Sequence, residues 1–282
     1  ARVERDSMDL LQAAHTFSGI EMALWDLLGQ HRQLPVWKIL GFEKATPKIP
    51  YASLLFGDTA DETLARARNA LADGFSAVKF GWGPIGTLDA ASDTDHFVAA
   101  REGIGNDGHL MIDVGQIFVE DIEAAAARLP ALEQAQAYWL EEPFSGHAFE
   151  AYADLAARSP NVGIAGGEAA HNIAMARHLM DFGKVKFVQI DCGRIGGIGP
   201  AFEVAQLAQV RGVTYVNHTF TTHLALSASL QPFAGIADAR ICEYPAHPSA
   251  LALAVVANSI TRNQAGEVFA PDAPGLGVKV DT

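Results

Sequence analysis

Short apolar runs alternate with amphipathic stretches along most of the chain. From Lys48 onward the runs are IPYAS, SAVKFG, LMIDVG, AYWLEE, VGIAGGE, KFVQID, TYVNH and RICEY. Between them lie stretches such as ETLARARNALADG, EDIEAAAARLP, AHNIAMARHLMDFG and GPAFEVAQLAQVRG. Their apolar positions recur near the helical period, and several stop at Gly or Pro. Marked by one residue each, the runs end at Ser53, Gly81, Asp113, Glu141, Glu168, Asp191, His218 and Glu243, spaced 23 to 32 residues apart. That is the length of a strand with its crossover helix. The runs are apolar on both sides, as in strands covered on both faces. Eight such units predict an α/β fold, a (β/α)8-type barrel. The rival is an open doubly wound sheet, which binds at a Gly-rich turn after its first strand. Here GRIGGIG follows the sixth run and does not read G-x-G-x-x-G.

Two segments flank the repeat. Ser18 to Leu28 places Ile20, Ala23, Leu24, Leu27 and Leu28 on one helical stripe. GQHRQLP breaks that helix, and VWKILG adds a short turn ending at Gly41. The tail GEVFAPDAPGLGVKVDT has no helical period and reads as an irregular segment or short strand packing back on the rest.

Composition narrows the picture. The 282 residues are 49% hydrophobic and 19% charged, enough for a sizeable core and against disorder. A net charge of -13 speaks against nucleic acid and against an anionic membrane surface as partners. No apolar run reaches the ~18 residues of a membrane span. Two cysteines, Cys192 and Cys242, exclude a disulfide framework and a cysteine zinc site and suit a reducing compartment, the cytoplasm. The start ARVERDSMDL lacks a signal pattern, and the absence of an initial Met suggests an upstream part.

The chemistry lies where the runs end. Active sites of α/β barrels sit at the C-terminal ends of the strands. Asp113, Glu141, Glu168, Asp191, His218 and Glu243 end runs three to eight without interruption. Asp113, Glu141 and Glu168 come from neighbouring strands, and three converging carboxylates repel unless a cation joins them. Mg²⁺ takes oxygen ligands and leaves room for substrate. The bland alternative fans them into solvent or pairs them with Lys and Arg. Glu142 points to the other side of its strand. Asp191 and His218 end adjacent strands, so the Asp can bond one ring nitrogen and leave the other to take a proton. Lys79, in AVKFGWG, reaches the metal side if it faces inward and could hold a substrate carboxylate. Glu243 could hydrogen-bond an oxyanion when protonated or bind a hydroxyl when ionised, or it forms a rim salt bridge. Arg194 braces the rim or contacts Asp191 or an acidic ligand. His171, His178 and His223 read as structural or surface residues.

These residues carry a resemblance. IDVGQ around Asp113, WLEEPF around Glu141, AGGE at Glu168, QIDCGRIGG around Asp191 and VNHTF at His218 resemble the mandelate racemase subgroup of the enolase superfamily. SGIEMALWDLLGQHRQLPVWKILG looks like the end of that family's capping domain, and DAPGLGV like its returning tail. The resemblance implies capping-domain helices over 1–46 with the rest of that domain absent, a catalytic barrel over 47–262 and a tail over 263–282. It implies a modified, enolase-like barrel binding one Mg²⁺ per subunit through Asp113, Glu141 and Glu168. It further implies a small-molecule carboxylate substrate, an α-proton removed by a base, an enediolate held by metal and cations, and a homo-oligomer.

Two positions depart from the family. Racemases of the subgroup carry Lys-x-Lys on the second strand; Lys79 matches the first and Gly81 stands at the second. The family often has Asn where Gly115 stands. With one base left, the His218–Asp191 pair, the resemblance favours dehydration of a sugar acid to a 2-keto-3-deoxy acid. An epimerase or lactone cycloisomerase is the runner-up, with Lys79 as the second base of an epimerase. A barrel that binds metal or sugar acid without turnover is the remaining reading.

Overall fold

The computed structural model describes residues 14–280. Residues 1–13, where the sequence was read for a signal, and the last two of the tail lie outside the described residues. Eight strands form one sheet in the order β7-β6-β5-β4-β3-β2-β1-β8, and the fold is the (β/α)8-type barrel that the eight units predict. The strands are β1 (Ile49–Leu55), β2 (Ala77–Gly81), β3 (His109–Asp113), β4 (Ala137–Glu141), β5 (Gly163–Gly166), β6 (Phe187–Ile190), β7 (Thr214–Asn217) and β8 (Ile241–Tyr244). Among the described residues no helix is long and apolar enough to cross a membrane.

The chain divides into two compact units. One comprises residues 49–167 and 178–188. Its strands β1 to β6 pair in parallel with nearly unbroken register, so Gly81 stands beside Asp113 and Asp113 beside Glu141. β2 is buried at every position, as a strand covered on both faces must be. Helices α3 (Ala60–Ala72) and α4 (Ala90–Ile104) begin at side-chain caps: Thr59 accepts from Glu62 N and Asp89 from Ser92 N. The amphipathic stretch after β3 is two short helices, α5 (Ile122–Ala126) and α6 (Leu129–Gln134), rather than one. Pro130 opens the second, where its missing N–H is harmless.

The other unit comprises residues up to Lys48, 168–177 and 189–282. It holds α1 (His15–Arg32), α2 (Val36–Ile39), α9 (Cys192–Ile195), α10 (Ile198–Arg211), α11 (His223–Leu230), α12 (Ala250–Ala254) and the tail; α7 (Phe149–Arg158) belongs to the first unit, and α8 (Ile173–Asp181) crosses the division. The helix expected from Ser18 to Leu28 is there, but Ile20, Leu24 and Leu27 of its apolar stripe are exposed. The side turned to its own unit is held by polar bonds instead. Ser18 Oγ accepts from Gly196 N at 3.0 Å, and Glu21 accepts from Ile198 N and Gly199 N at 2.7 and 2.8 Å. Trp25 Nε1 donates to the same carboxylate at 2.6 Å. Glu21 thus satisfies two amides that α10 leaves unpaired at its N-terminus, where negative charge is favoured. Gly197 sits at φ +114°, and a Cβ there would collide with the Glu21 carboxylate. Glu21→Gln turns one amide hydrogen toward a backbone donor. It is expected to lower stability by about 1–3 kcal/mol, read as a fall in Tm.

The tail returns to α1 and α2. Val36 N donates to Gly275 O and Gly275 N to Leu34 O, each at 3.0 Å, and Leu276 N donates to Asp26 Oδ1 at 2.8 Å. Lys48, just before β1, is buried, and its ammonium donates to Thr46 Oγ1, Ile236 O and Ala239 O at 2.8–2.9 Å. Burial pushes its pKa down to about 7, with Cys242 acting to raise it and Arg240 to lower it further. An unfolded lysine titrates near ~10.4. Between the two values the unfolded chain holds a proton that the folded chain lacks, so this group makes stability rise with pH. Melting curves from pH 7 to 10 are expected to show a steeper rise for the parent than for Lys48→Met.

Candidate active site

In the first unit the strand alternation turns Lys79 and Gly81 to one face, as it does Trp139 and Glu141. The register then brings three side chains together. Lys79 Nζ lies 2.7 Å from Glu141 Oε1 and 3.5 Å from Asp113 Oδ2. All three are buried, Glu141 completely. Trp139 Nε1 donates to Glu141 Oε2 at 2.9 Å, so both oxygens of that carboxylate are engaged. Gly115 N donates to Asp113 Oδ1 at 2.9 Å. Lys79 does not reach solvent: it is 3% exposed and its Nζ lies 5.5 Å from the Tyr51 ring centre. A Cβ on Gly81 would stand 3.2 Å from Asp113 Oδ2, so any side chain there presses on that carboxylate. Glu142 turns away at φ +44° and accepts from Gln116 Nε2 at 3.3 Å.

In the second unit the centre is His218, one residue past β7. Its Nδ1 lies 2.7 Å from Asp191 Oδ2, and its Nε2 lies 2.9 Å from Glu168 Oε2 and 3.8 Å from Glu243 Oε2. Carboxylates only accept, so both ring nitrogens carry hydrogen in this arrangement. Burial works against charge on the ring. The carboxylates of Glu243, Asp191 and Glu168 outweigh it and hold the imidazolium well above the ordinary histidine range. Asp191 caps α9, its Oδ1 accepting from Gly193 N at 2.6 Å, which aims Oδ2 at the ring. Arg194 Nη1 pairs with Glu168 Oε1 at 2.7 Å, and its Nε lies 3.8 Å from Asp191 Oδ2. Glu243 Oε2 accepts from Thr219 N at 2.7 Å, and the Glu243 backbone is tied to Asn217. A cavity of about 120 Å³ beside Asp191 and His218 is lined by Met22, Thr219 and Phe220 among others. His223 is structural here: its Nδ1 accepts from Ile260 N at 3.0 Å.

Asp113 and Glu141 offer carboxylate oxygens in the first unit, and Glu168 offers one in the second. An all-oxygen set of this charge suits a hard divalent cation. The geometry also names residues that the pattern of runs did not. Trp139 holds Glu141, and the two-residue spacing within β4 was the signal that could have found it. Glu21 and Ser18 hold the segment that follows Asp191, and no local spacing announces a contact across nearly 180 residues of chain.

An α/β barrel that carries acidic groups, a lysine and a His–Asp pair at its strand ends is the architecture of the enolase superfamily. The chain belongs to the mandelate racemase/muconate lactonizing enzyme family within it. Residues 62–282 match the enolase C-terminal domain-like family, and residues 3–41 match the N-terminal domain of mandelate racemase and muconate lactonizing enzyme. The chain is 63% identical to a predicted mandelate racemase of known structure from Rhodobacter sphaeroides, with a TM-score of 0.96 over 99% of this chain and 72% of that one. It is 29% identical to the 3,6-anhydro-alpha-L-galactonate cycloisomerase of Streptomyces coelicolor, over 95% of this chain and 70% of the relative. It is 31% identical to the L-talarate/galactarate dehydratase of Salmonella typhimurium, over 78% of this chain and 55% of the relative. The chain therefore spans between about half and three quarters of these relatives' lengths. Sugar-acid dehydratases and cycloisomerases are among its homologues, which supports an enzyme of this general reaction.

Proposed function

We propose that the protein removes the proton α to the carboxylate of a sugar acid, with His218 as the base, and that the reaction is a dehydration. The observation that carries this reading is the 2.7 Å bond between His218 Nδ1 and Asp191. It fixes the ring and makes Nε2, the nitrogen beside Glu168, the working one. Asp113, Glu141 and Glu168 would hold one Mg²⁺, which supplies positive charge for the substrate carboxylate and the enediolate. Lys79, beside Glu141, adds a second cation for that charge. Glu168 is one of the carboxylates that favour the imidazolium, so engaging it as a ligand would lower the ring's proton affinity and favour the neutral form that a base needs.

The atoms balance with one base. Nε2 takes the α-hydrogen as a proton, and the C–H electrons enter the enediolate. Those electrons expel the β-hydroxyl, to which the same imidazolium returns the proton as water departs. The enol left behind tautomerises to a 2-keto-3-deoxy acid. Gly81 supports the single-base reading, because it has no group to bring to the second face. The isomerase alternative, a sugar-acid epimerase or lactone cycloisomerase, uses the same enediolate and a different exit, and the Streptomyces relative favours keeping it. Glu243 is proposed to contact the substrate beside His218. The buried free thiols Cys192 and Cys242 fit a cytoplasmic enzyme, and a homo-oligomer is the form proposed by family resemblance.

The test is proton NMR in D₂O with Mg²⁺ and a panel of acid sugars. A 2-keto-3-deoxy product is the expected result. Deuterium at the α-carbon without loss of water points to epimerisation, and a new ring or an opened lactone to cycloisomerisation. An inert panel overturns the reading.

A further inference from the structure

Trp82 follows Gly81 at the end of β2 and is 61% exposed. Its φ is +58°, in the left-handed region that is unfavourable for a residue other than Gly. Stability does not account for this arrangement, because the ring recovers little by burial. Strain held at a rim beside reactive groups points to function.

The position of the ring is specific. Trp82 N donates to Asp113 O at 3.3 Å, which anchors the residue to the strand that carries the carboxylate. The six-membered part of the indole lies against Gly115: a Cβ there would stand 3.2 Å from Cε2 and Cζ2. Gly115 itself has φ +51°, and its N–H is the donor to Asp113 Oδ1. Both departures from the family pattern, Gly81 and Gly115, therefore flank Asp113, and the indole covers the second. Where an Asn side chain would project, this chain offers an aromatic face.

We propose that Trp82 is a specificity-determining wall of the substrate site, its indole packing on the carbon-bound hydrogens of the bound sugar acid next to Asp113. This rests on the sugar-acid reading above. An aromatic face is electron-rich and attracts the polarised C–H groups that a polyhydroxylated chain or ring displays between its hydroxyls. Such a face accepts a sugar without making hydrogen bonds, which leaves the carboxylate end to Lys79 and to the cation that Asp113 and Glu141 would help to hold. The strained backbone is what turns the ring onto Gly115 rather than along the strand.

The experiment compares the parent with Trp82→Gly and Trp82→Phe. Each is melted, and each is assayed at saturating Mg²⁺ with D-galactonate, galactarate and 3,6-anhydrogalactonate. Glycine accepts φ +58° without strain, so the Tm of W82G is expected not to fall. For an acid that the parent turns over, KM is expected to rise about tenfold or more in W82G, with kcat within a few-fold. W82F, which keeps an aromatic face, is expected to recover most of the loss. A KM unchanged in W82G overturns the wall and leaves the proposed reaction standing. A lowered Tm in W82G overturns it too, since the ring then belongs to the packing of the fold. A parent inert to every acid removes the reading on which the wall rests.

Discussion

His218→Asn is expected to abolish turnover, by about a thousandfold or more, while Mg²⁺ binding survives. The size follows from what the ring does. It is the only group at this rim in the described residues whose two nitrogens are divided between a fixed carboxylate partner, Asp191 at 2.7 Å, and the acidic cluster, Glu168 at 2.9 Å. Asparagine keeps a polar side chain near Asp191 and so preserves much of the packing. It has no nitrogen that takes a proton at neutral pH. The variant should therefore lose both product formation and exchange of the α-hydrogen with D₂O. Exchange that continues in His218→Asn would transfer the base to another residue, with Lys79 first in line. Asp191→Asn should fall short of the full loss, since it keeps the ring but removes the charge that orients it and favours its protonated form.

The extent to which this site was legible in the sequence differs by residue, for physical reasons. Asp113 and Glu141 were legible as the last residues of short parallel strands, and Asp191, His218 and Glu243 because each stands within one residue of a strand end. Glu168 was legible although it stands two residues beyond β5, since the AGGE run carries the marker into the loop. The pairing of Lys79 with Glu141 was open between substrate contact, solvent and metal side, because a strand-end lysine has reach in several directions. What no pattern of runs foretold were contacts made in three dimensions. Glu21 caps a helix that begins 177 residues later. The apolar stripe of α1 has the right period, yet Ser18, Glu21 and Trp25 do the holding on the other side. Trp82 read as one letter of AVKFGWG; the sequence states neither its left-handed backbone nor the packing of its ring on Gly115.

Asp113→Asn is expected to remove the thermal response to Mg²⁺ without lowering the metal-free Tm. In the parent, Asp113 and Glu141 stand side by side at the ends of paired strands, both beside Lys79 Nζ. Two carboxylates about 5 Å apart repel by roughly 3 kcal/mol at an effective dielectric of about 20, before any cation is counted. Lys79 meets part of that charge through Glu141 and Asp113. Asparagine is nearly isosteric, and its carbonyl oxygen still accepts from Gly115 N, so the strand end stays satisfied. Its amide faces Lys79 less favourably than the carboxylate did, but at 3.5 Å that contact is the weaker of the two ammonium pairings. Relief of repulsion from Glu141 works in the opposite direction, and the two effects roughly offset. A ligand that binds only the folded state stabilises it by RT ln(1 + [L]/Kd), about 2.7 kcal/mol at a hundred times Kd. The parent should therefore melt several degrees higher with Mg²⁺ than with a chelator, and Asp113→Asn should melt at one temperature in both. A parent indifferent to Mg²⁺ would mean that Asp113 and Glu141 serve the protein as partners of Lys79 alone. A metal-free Tm that drops sharply in Asp113→Asn would mean that the carboxylate is part of the fold's own support, with the Lys79 ammonium depending on it.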